Sequence, residues 1–389
     1  MIKLHEPFIH GNEWKYIKNC LDKGWVSSAG KYVDLFEKKI AKYTGSKYAI
    51  ACINGTSALQ LSLKLVGVGT DEEVIVPSMT FIAPVNAISY NNAKPIFMDN
   101  NNNYTIDVYK TLDFLKKETR IIQSKKSLNT INKKTGKRIA ALIVVHLFGN
   151  AAKLDELIEI CRKKNIPLVE DSAESIGTFY GSGRFKNKHT GTVGQIGCLS
   201  FNGNKIITSG GGGMILTNNF KIAKKAKYLT TQAKDDSINY IHNDIGYNFR
   251  LSNIQAALGL AQLENLTENI KKKKIIHSIY KSKIDKNKDL KISSTSHPNK
   301  CNYWLNILEI SKRLQKKKLS KIIQKFDKHG IEVRPIWFPN HLQEKYKKCQ
   351  TYKLNNIKKI YQKRLCLPSS SQLTARQQNF ICKKLNNIF

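Results

Sequence analysis

The chain has 389 residues, with 65 Lys and Arg against 29 Asp and Glu for a net charge of +36, and is 41% hydrophobic and 24% charged. That composition belongs to a folded chain of about two or three domains with enough apolar residues for a sizeable core, and it excludes disorder as the main state. The longest apolar stretch, 139–148, is interrupted by His146 and falls short of the about 20 residues that span a bilayer, so no membrane helix is expected.

The opening MIKLHEPFIHGNEW has no apolar signal core behind a basic start, which makes the cytoplasm the expected compartment. Eight Cys are scattered without a Cys-x-x-Cys pair or a Cys/His cluster. They read as buried thiols rather than disulfides or metal ligands. Only 9 of the 65 basic residues are Arg, and the Lys are spread along the chain with short runs at 271–274 and 316–318. Phosphate readers concentrate Arg and Lys on one face with aromatic residues between them. The spread Lys therefore read as solvated surface, with no nucleic-acid partner expected, although a basic surface would steer anionic sugar nucleotides.

In chain order, short apolar runs alternate with amphipathic stretches from residue 47 to 217, the pattern of an α/β layer around a largely parallel buried sheet. Strands are expected at 48–53, 73–76, 95–98, 139–145, 168–170, 197–201 and 213–216. A helix is expected at 57–66, where Leu59, Leu63 and Val66 recur at i, i+4 and i+7. The Asn run 100–103 reads as a loop, and the polar, Lys-rich stretch 116–138 as a surface excursion or hairpin. A long helix starts at Ser252, where Gln255 completes a capping box and Ile254, Leu258, Ala261 and Ile270 mark one apolar side. The Lys run after it is expected to end the first domain. Past Pro298 the order becomes strand 303–310, helix 314–328, strand 330–334, a smaller α+β domain closing over the first. The expected division is a large domain at 1–265 and a small C-terminal domain at 266–389, with the N-terminal segment packing on the small one.

The strongest signal is a set of motifs in fixed order. They are Asn54-Gly55-Thr56-Ser57-Ala58-Leu59, then Val169-Glu170-Asp171-Ser172-Ala173-Glu174, then Ser200-Phe201-Asn202-Gly203-Asn204-Lys205, followed by Gly211-Gly212-Gly213 and Gly246-Tyr247-Asn248-Phe249-Arg250. Together they resemble the DegT/DnrJ/StrS family of sugar aminotransferases, over nearly the whole chain. The resemblance implies a fold-type-I pyridoxal-phosphate (PLP) enzyme: a large α/β domain with a mixed, mostly parallel sheet and a smaller C-terminal α+β domain. It implies PLP as cofactor, with pyridoxamine phosphate as its amino-loaded form.

Each motif also carries a chemical reading. An aldehyde cofactor needs a lysine amine to hold it and to move protons, and the resemblance makes that lysine Lys205. Unlike a surface lysine, Lys205 lies between the apolar run 198–201 and a Gly-rich turn. Asp171 follows the apolar run 166–169, at the strand end where open α/β sheets bind ligands. A carboxylate there would keep a pyridine nitrogen protonated; the alternative is a helix cap. Gly55, Thr56 and Ser57 open a helix after a strand, so they read either as a phosphate cradle or as an ordinary helix start. By the resemblance Ser200 adds a hydroxyl to the phosphate, and Asn248 reaches it from the neighbouring subunit of a homodimer. Phe81 matches an aromatic that stacks on the cofactor ring and would otherwise be a core Phe. Glu174 stands where many relatives have Gln or His near the cofactor hydroxyl. The run Gly210-Gly211-Gly212-Gly213 lacks the spacing of a dinucleotide fingerprint and reads as tight backbone packing. Arg250 and Arg334 suit a glutamate carboxylate or a nucleotide diphosphate, or a purely structural role.

The segment 24–33, the insertion 132–139 and the lysine loop look like the legionaminic-acid branch of the family. That resemblance implies transfer of an amino group from L-glutamate to C4 of UDP-2-acetamido-2,6-dideoxy-4-ketohexose. A GDP-linked sugar and a C3 amine are the alternatives within the family. A PLP-dependent sugar dehydratase, which has His in place of the lysine, is disfavoured by Lys205. A noncatalytic, nucleic-acid-binding or regulatory protein on the same fold is the alternative from another class.

Overall fold

The computed structural model describes residues 1–123, 128–295, 300–311, 313–314 and 319–388. The expected transition at Pro298 and the Lys run 316–318 lie outside the described residues. The strands of the large sheet and its surface hairpin, in chain order, are β1 (Tyr48–Cys52), β2 (Glu73–Pro77), β3 (Lys94–Met98), β4 (Thr119–Gln123), β5 (Leu128–Asn132), β6 (Ile139–Val145), β7 (Leu168–Asp171), β8 (Ile196–Ser200) and β9 (Gly213–Thr217). They are followed by the short pair β10 (Lys234–Asp236) and β11 (Ile241–His242), then β12 (Leu290–Ile292), β13 (Asn306–Ile310), β14 (Arg334–Pro335), β15 (Thr351–Tyr352) and β16 (Arg364–Leu367).

The large sheet has the order β1-β9-β8-β7-β6-β2-β3-β15. Its centre, β8-β7-β6-β2-β3, is parallel, and β15 adds a parallel edge. The strand β9 is antiparallel to both β8 and β1, so β1 runs in the direction of β8. The sheet is thus mostly parallel, as the alternating pattern predicts, and mixed, as the resemblance implies. Both faces are covered, which is why β6 is apolar and buried at all seven positions. Successive side chains go to opposite layers: Ala141, Ile143 and Val145 to one core, Leu142 and Val144 to the other.

A second sheet, β12-β13-β16-β14, carries its own core, in which Leu290, Ile307's neighbour Leu308, Phe326 and Leu365 pack with Ile276, Tyr280 and Ile284. The last three belong to the helix Leu266–Ile284. The long helix expected from Ser252 is in fact two. The capping box at Ser252 is formed, the first helix is Asn253–Glu264, and the second starts directly after Asn265. Leu266 and Ile270 contact the large core, and Ile276 onward the small one. The Lys run 271–274 therefore lies inside a continuous helix that joins the two cores. The N-terminal segment is tied to the C-terminal part as well, through a bridge between Ile2 and Ile331 and the bond from Ser369 N–H to Leu4 O.

The polar stretch after residue 116 forms the antiparallel pair β4-β5; residues 124–127 between them lie outside the described residues. Two expectations shorten. The strand expected from 303 begins only at Asn306, and that expected at 330–334 is confined to Arg334–Pro335, with Ile331 pairing Ile2 instead.

Candidate active site

Because β1, β2, β6, β7 and β8 point the same way, the segments that leave them meet at one edge of the sheet, where open α/β folds bind ligands. There the chain encloses a cavity of about 260 Å³. Its walls come from Asn54, Gly55 and Thr56 after β1, Thr80 and Phe81 after β2, and Val145 at the end of β6. Asp171 and Glu174 line it after β7, and Ser200, Asn202, Asn204 and Lys205 after β8.

Gly55 and Thr56 open the helix Gly55–Leu65. Asn54 caps it by accepting the Ser57 N–H at 2.8 Å, which leaves the start of the helix as an electropositive wall of the cavity. Ser57 itself does not line the cavity, and its N–H is taken by that cap. A Cβ added at Gly55 would lie 2.9 Å from Ser200 Cβ and 3.2 Å from Ser200 Oγ, so only glycine lets the two segments close the corner.

Asp171 is the last residue of β7 and is buried. One carboxylate oxygen accepts the Ala173 N–H at 3.0 Å. Burial pushes its carboxyl above the usual carboxylate range, against the pull of that N–H, Lys205 and His146. The preceding Glu170 turns to the other side of the strand and is saturated: it accepts the N–H groups of Gly191, Val193 and Gly194 and the His146 ring. The Ala152 N–H donates to His146 Nδ1, so the ring proton is on Nε2, facing Glu170. Burial acts to raise Glu170, but these donors leave its carboxyl below the usual range. This network fixes the end of β7 and with it Asp171.

Lys205 sits in the turn after β8, its N–H bonded to Asn202 O at 2.9 Å. Its side chain is only 12% exposed; Nζ lies 3.5 Å from Glu174 Oε1 and 4.2 Å from the centre of the Trp304 ring. Burial raises the Glu174 carboxyl, with Lys205 the chief opposing influence. The other Glu174 oxygen accepts the Phe148 N–H at 2.8 Å.

Seven of the residues expected from sequence thus share one cavity: Gly55, Thr56, Phe81, Asp171, Glu174, Ser200 and Lys205. Phe81 is half exposed at its mouth rather than buried in a core. Asn248 is exposed and outside the cavity, next to Thr231. Arg250 is also outside, its guanidinium 3.4 Å from Gln232 Oε1, and Arg334 is exposed and paired with Glu332 at 2.8 Å.

Sequence reasoning missed the opposite wall. Trp304 and Trp337 line the cavity, with Phe148 5.7 Å from Trp337 and stacked on Trp304. The Trp304 indole N–H donates to Asn204 O at 2.9 Å, joining this wall to the lysine turn. Only four Trp occur in the chain, and one of these two stands three residues past Arg334, the sole signal that marked that stretch.

The family model described as "DegT/DnrJ/EryC1/StrS aminotransferase family" matches residues 7–386. GDP-perosamine synthase of Escherichia coli O157:H7 is 34% identical, over 100% of this chain and 98% of its own length. The UDP-4-amino-4,6-dideoxy-N-acetyl-beta-L-altrosamine transaminase of Campylobacter jejuni subsp. jejuni serotype O:23/36 is 28% identical, over 94% of this chain and 92% of its own. Among solved structures, a DegT DnrJ EryC1 StrS aminotransferase from Brucella abortus superposes with a TM-score of 0.84 at 26% identity, covering 97% of this chain and 95% of that one.

Proposed function

Because the chain belongs to the DegT/DnrJ/EryC1/StrS aminotransferase family, we propose that it moves the amino group of L-glutamate to C4 of a nucleotide-linked 4-keto-6-deoxy sugar, a building block for surface polysaccharide. Enzymes of this family depend on PLP, which supplies the electron sink and carries the amino group. The observation that carries the reading is the meeting of Asp171, Ser200 and Lys205 around one cavity in which Lys205 is the one cation among the lining residues.

The residues present fit that cofactor. The corner made by Gly55, Thr56 and Ser200, at a helix start and closed to any Cβ at position 55, suits a phosphate. Ser57 supports it from the first turn. Buried Asp171 suits a pyridinium nitrogen, Phe81 a ring face, and Glu174 the hydroxyl beside the reacting carbon. Lys205 Nζ takes the α-proton of L-glutamate and, in the second half of the reaction, delivers a proton to C4 of the sugar. The Trp304 face and Glu174 hold that amine on the cavity side.

Asn248 belongs to the same site in a homodimer. It is exposed and outside its own subunit's cavity, which leaves it free to reach a neighbour's, and the exposed Ile238, Tyr240, Ile241 and Ile245 lie close to it in sequence. Arg250 and Arg334 are assigned to the nucleotide or the glutamate carboxylate by the chemistry of the guanidinium group, and the Arg250 Nε is buried without a partner among the described residues.

For the acceptor we take UDP-2-acetamido-2,6-dideoxy-4-ketohexose, supported by the branch-like segments 24–33 and 132–139 and the lysine loop. The higher identity to a GDP-perosamine synthase favours a second reading, GDP-4-keto-6-deoxymannose. Incubation with 15N-labelled L-glutamate and each sugar, read by mass spectrometry, tests both: 15N in the UDP-linked product is expected. Label only in the GDP-linked product selects the second reading, and label in neither sinks the proposal.

A further inference from the structure

Two polar groups in the cavity have no partner. The Trp337 indole N–H and the Thr80 hydroxyl are both buried, both belong to lining residues, and neither has a hydrogen-bond partner among the described residues. The other cavity tryptophan differs, since its N–H is already bonded to Asn204 O. A buried donor left unpaired is costly, and folded proteins seldom keep one without a ligand or water to take it.

Their placement is imposed by the fold. The segment 337–341 comes from the C-terminal part of the chain and clamps onto the loop after β2. The Asn340 N–H and side-chain amide donate to Ser78 O at 2.8 and 3.3 Å, that amide also reaches Thr80 O at 2.9 Å, and the His341 ring meets Ser78 Oγ at 2.6 Å. The two unpaired groups therefore come from the two sides of one clamp. Around them the wall is aromatic: Phe81 meets Trp337 edge-on at 5.8 Å, and Trp304 lies 6.4 Å from Trp337.

From this we infer that Trp337 determines specificity for the acceptor sugar, its indole N–H donating to an oxygen of the hexose while its ring packs against the apolar C–H groups of the pyranose. Thr80 Oγ1 serves the same ring from the other side of the clamp. The chemistry of the wall separates the two substrates. L-Glutamate is a dicarboxylate that needs cations, and Thr80, Phe81 and Trp337 offer none; a neutral pyranose, with apolar faces and hydroxyl edges, matches an aromatic plane and single donors. The inference rests on the reading of the site as one that aminates a nucleotide sugar.

The test is calorimetric binding of UDP-2-acetamido-2,6-dideoxy-4-ketohexose and of GDP-4-keto-6-deoxymannose to the PLP-loaded protein, which in that form has no amino group to transfer. Trp337→Phe keeps a ring and removes only the donor; it is expected to weaken binding of the accepted sugar by about tenfold, the loss of one hydrogen bond. The rate at which L-glutamate bleaches the cofactor band should change less than twofold. Thr80→Val, which keeps the shape of the side chain, should show the same selectivity. Equal sugar affinity in wild type and both variants overturns the inference alone, as does a loss of equal size in the glutamate reaction, which would place Trp337 on the cofactor. A wild-type protein that binds neither sugar overturns the inference together with the proposed acceptor.

Discussion

Glu174 accepts the backbone N–H of Phe148 at 2.8 Å, and Phe148 is held there in the left-handed region at φ +56°. That conformation is strained for a residue with a bulky side chain, so it persists only where its surroundings fix it. One carboxylate thus serves two purposes: it locks the turn that backs the tryptophan wall, and it faces Lys205. Glu174→Ala leaves the Phe148 N–H buried and unpaired, and denaturant unfolding should show a loss of about 1–3 kcal/mol. Glu174→Gln keeps an acceptor and should recover most of it. Equal stability of Glu174→Ala and wild type would contradict the lock.

Asp171 illustrates the cost of a working site. Its carboxyl is pushed up by burial, so the folded protein loses stability as pH rises from the ordinary carboxylate value through the raised one. Asp171→Asn removes the buried charge. The variant without cofactor should melt above wild type at pH 8, by more than it does at pH 4.5, while transamination falls about 10³-fold for want of the carboxylate proposed to hold the pyridinium proton. A variant less stable than wild type at pH 8 would contradict this.

Gly55 is required by contact rather than by backbone angle. In Gly55→Ala the new methyl meets Ser200 Cβ at 2.9 Å, and the phosphate corner must open. Equilibrium dialysis of PLP should show at least about tenfold weaker retention. Retention equal to wild type would mean that the phosphate sits elsewhere.

Lys273 is fully buried, and its ammonium donates to Trp304 O at 3.0 Å and to Ser369 O. Burial pulls it from an ordinary 10.5 down to about 7. Between those values the unfolded chain holds a proton that the folded one lacks, so Lys273 makes stability rise as pH climbs from 7 toward 10.5. The melting temperature of wild type relative to Lys273→Met should therefore increase from pH 7 to pH 9.5. A difference that stays flat would show that the amine titrates as it does in water.

The parts of this molecule that were legible in the sequence are those written locally. Each strand at the centre of the large sheet is built on a short apolar run, with the polar residues at its ends, and the capping box at Ser252 is a four-residue pattern. The lysine, aspartate and helix start likewise lie in compact motifs directly after strands. The aromatic wall was not legible, because Trp304 and Trp337 reach the cavity only through long-range contacts: the Asn204 bond for one, the clamp of Asn340 on Ser78 and Thr80 for the other. The break at Asn265 was hidden for a related reason. The apolar side continues through it and merely changes the core it faces, from Leu266 and Ile270 to Ile276 and Tyr280.

Lys205, out of a chain so rich in lysine, is the residue proposed to carry the cofactor. That role is tested most directly by reducing the PLP-loaded protein with borohydride and mapping the modified peptide by mass spectrometry. One pyridoxyl group per chain on Lys205, absent after Lys205→Ala, is the predicted result; a stoichiometric label on another lysine, or none above the level of surface reaction, would contradict the account.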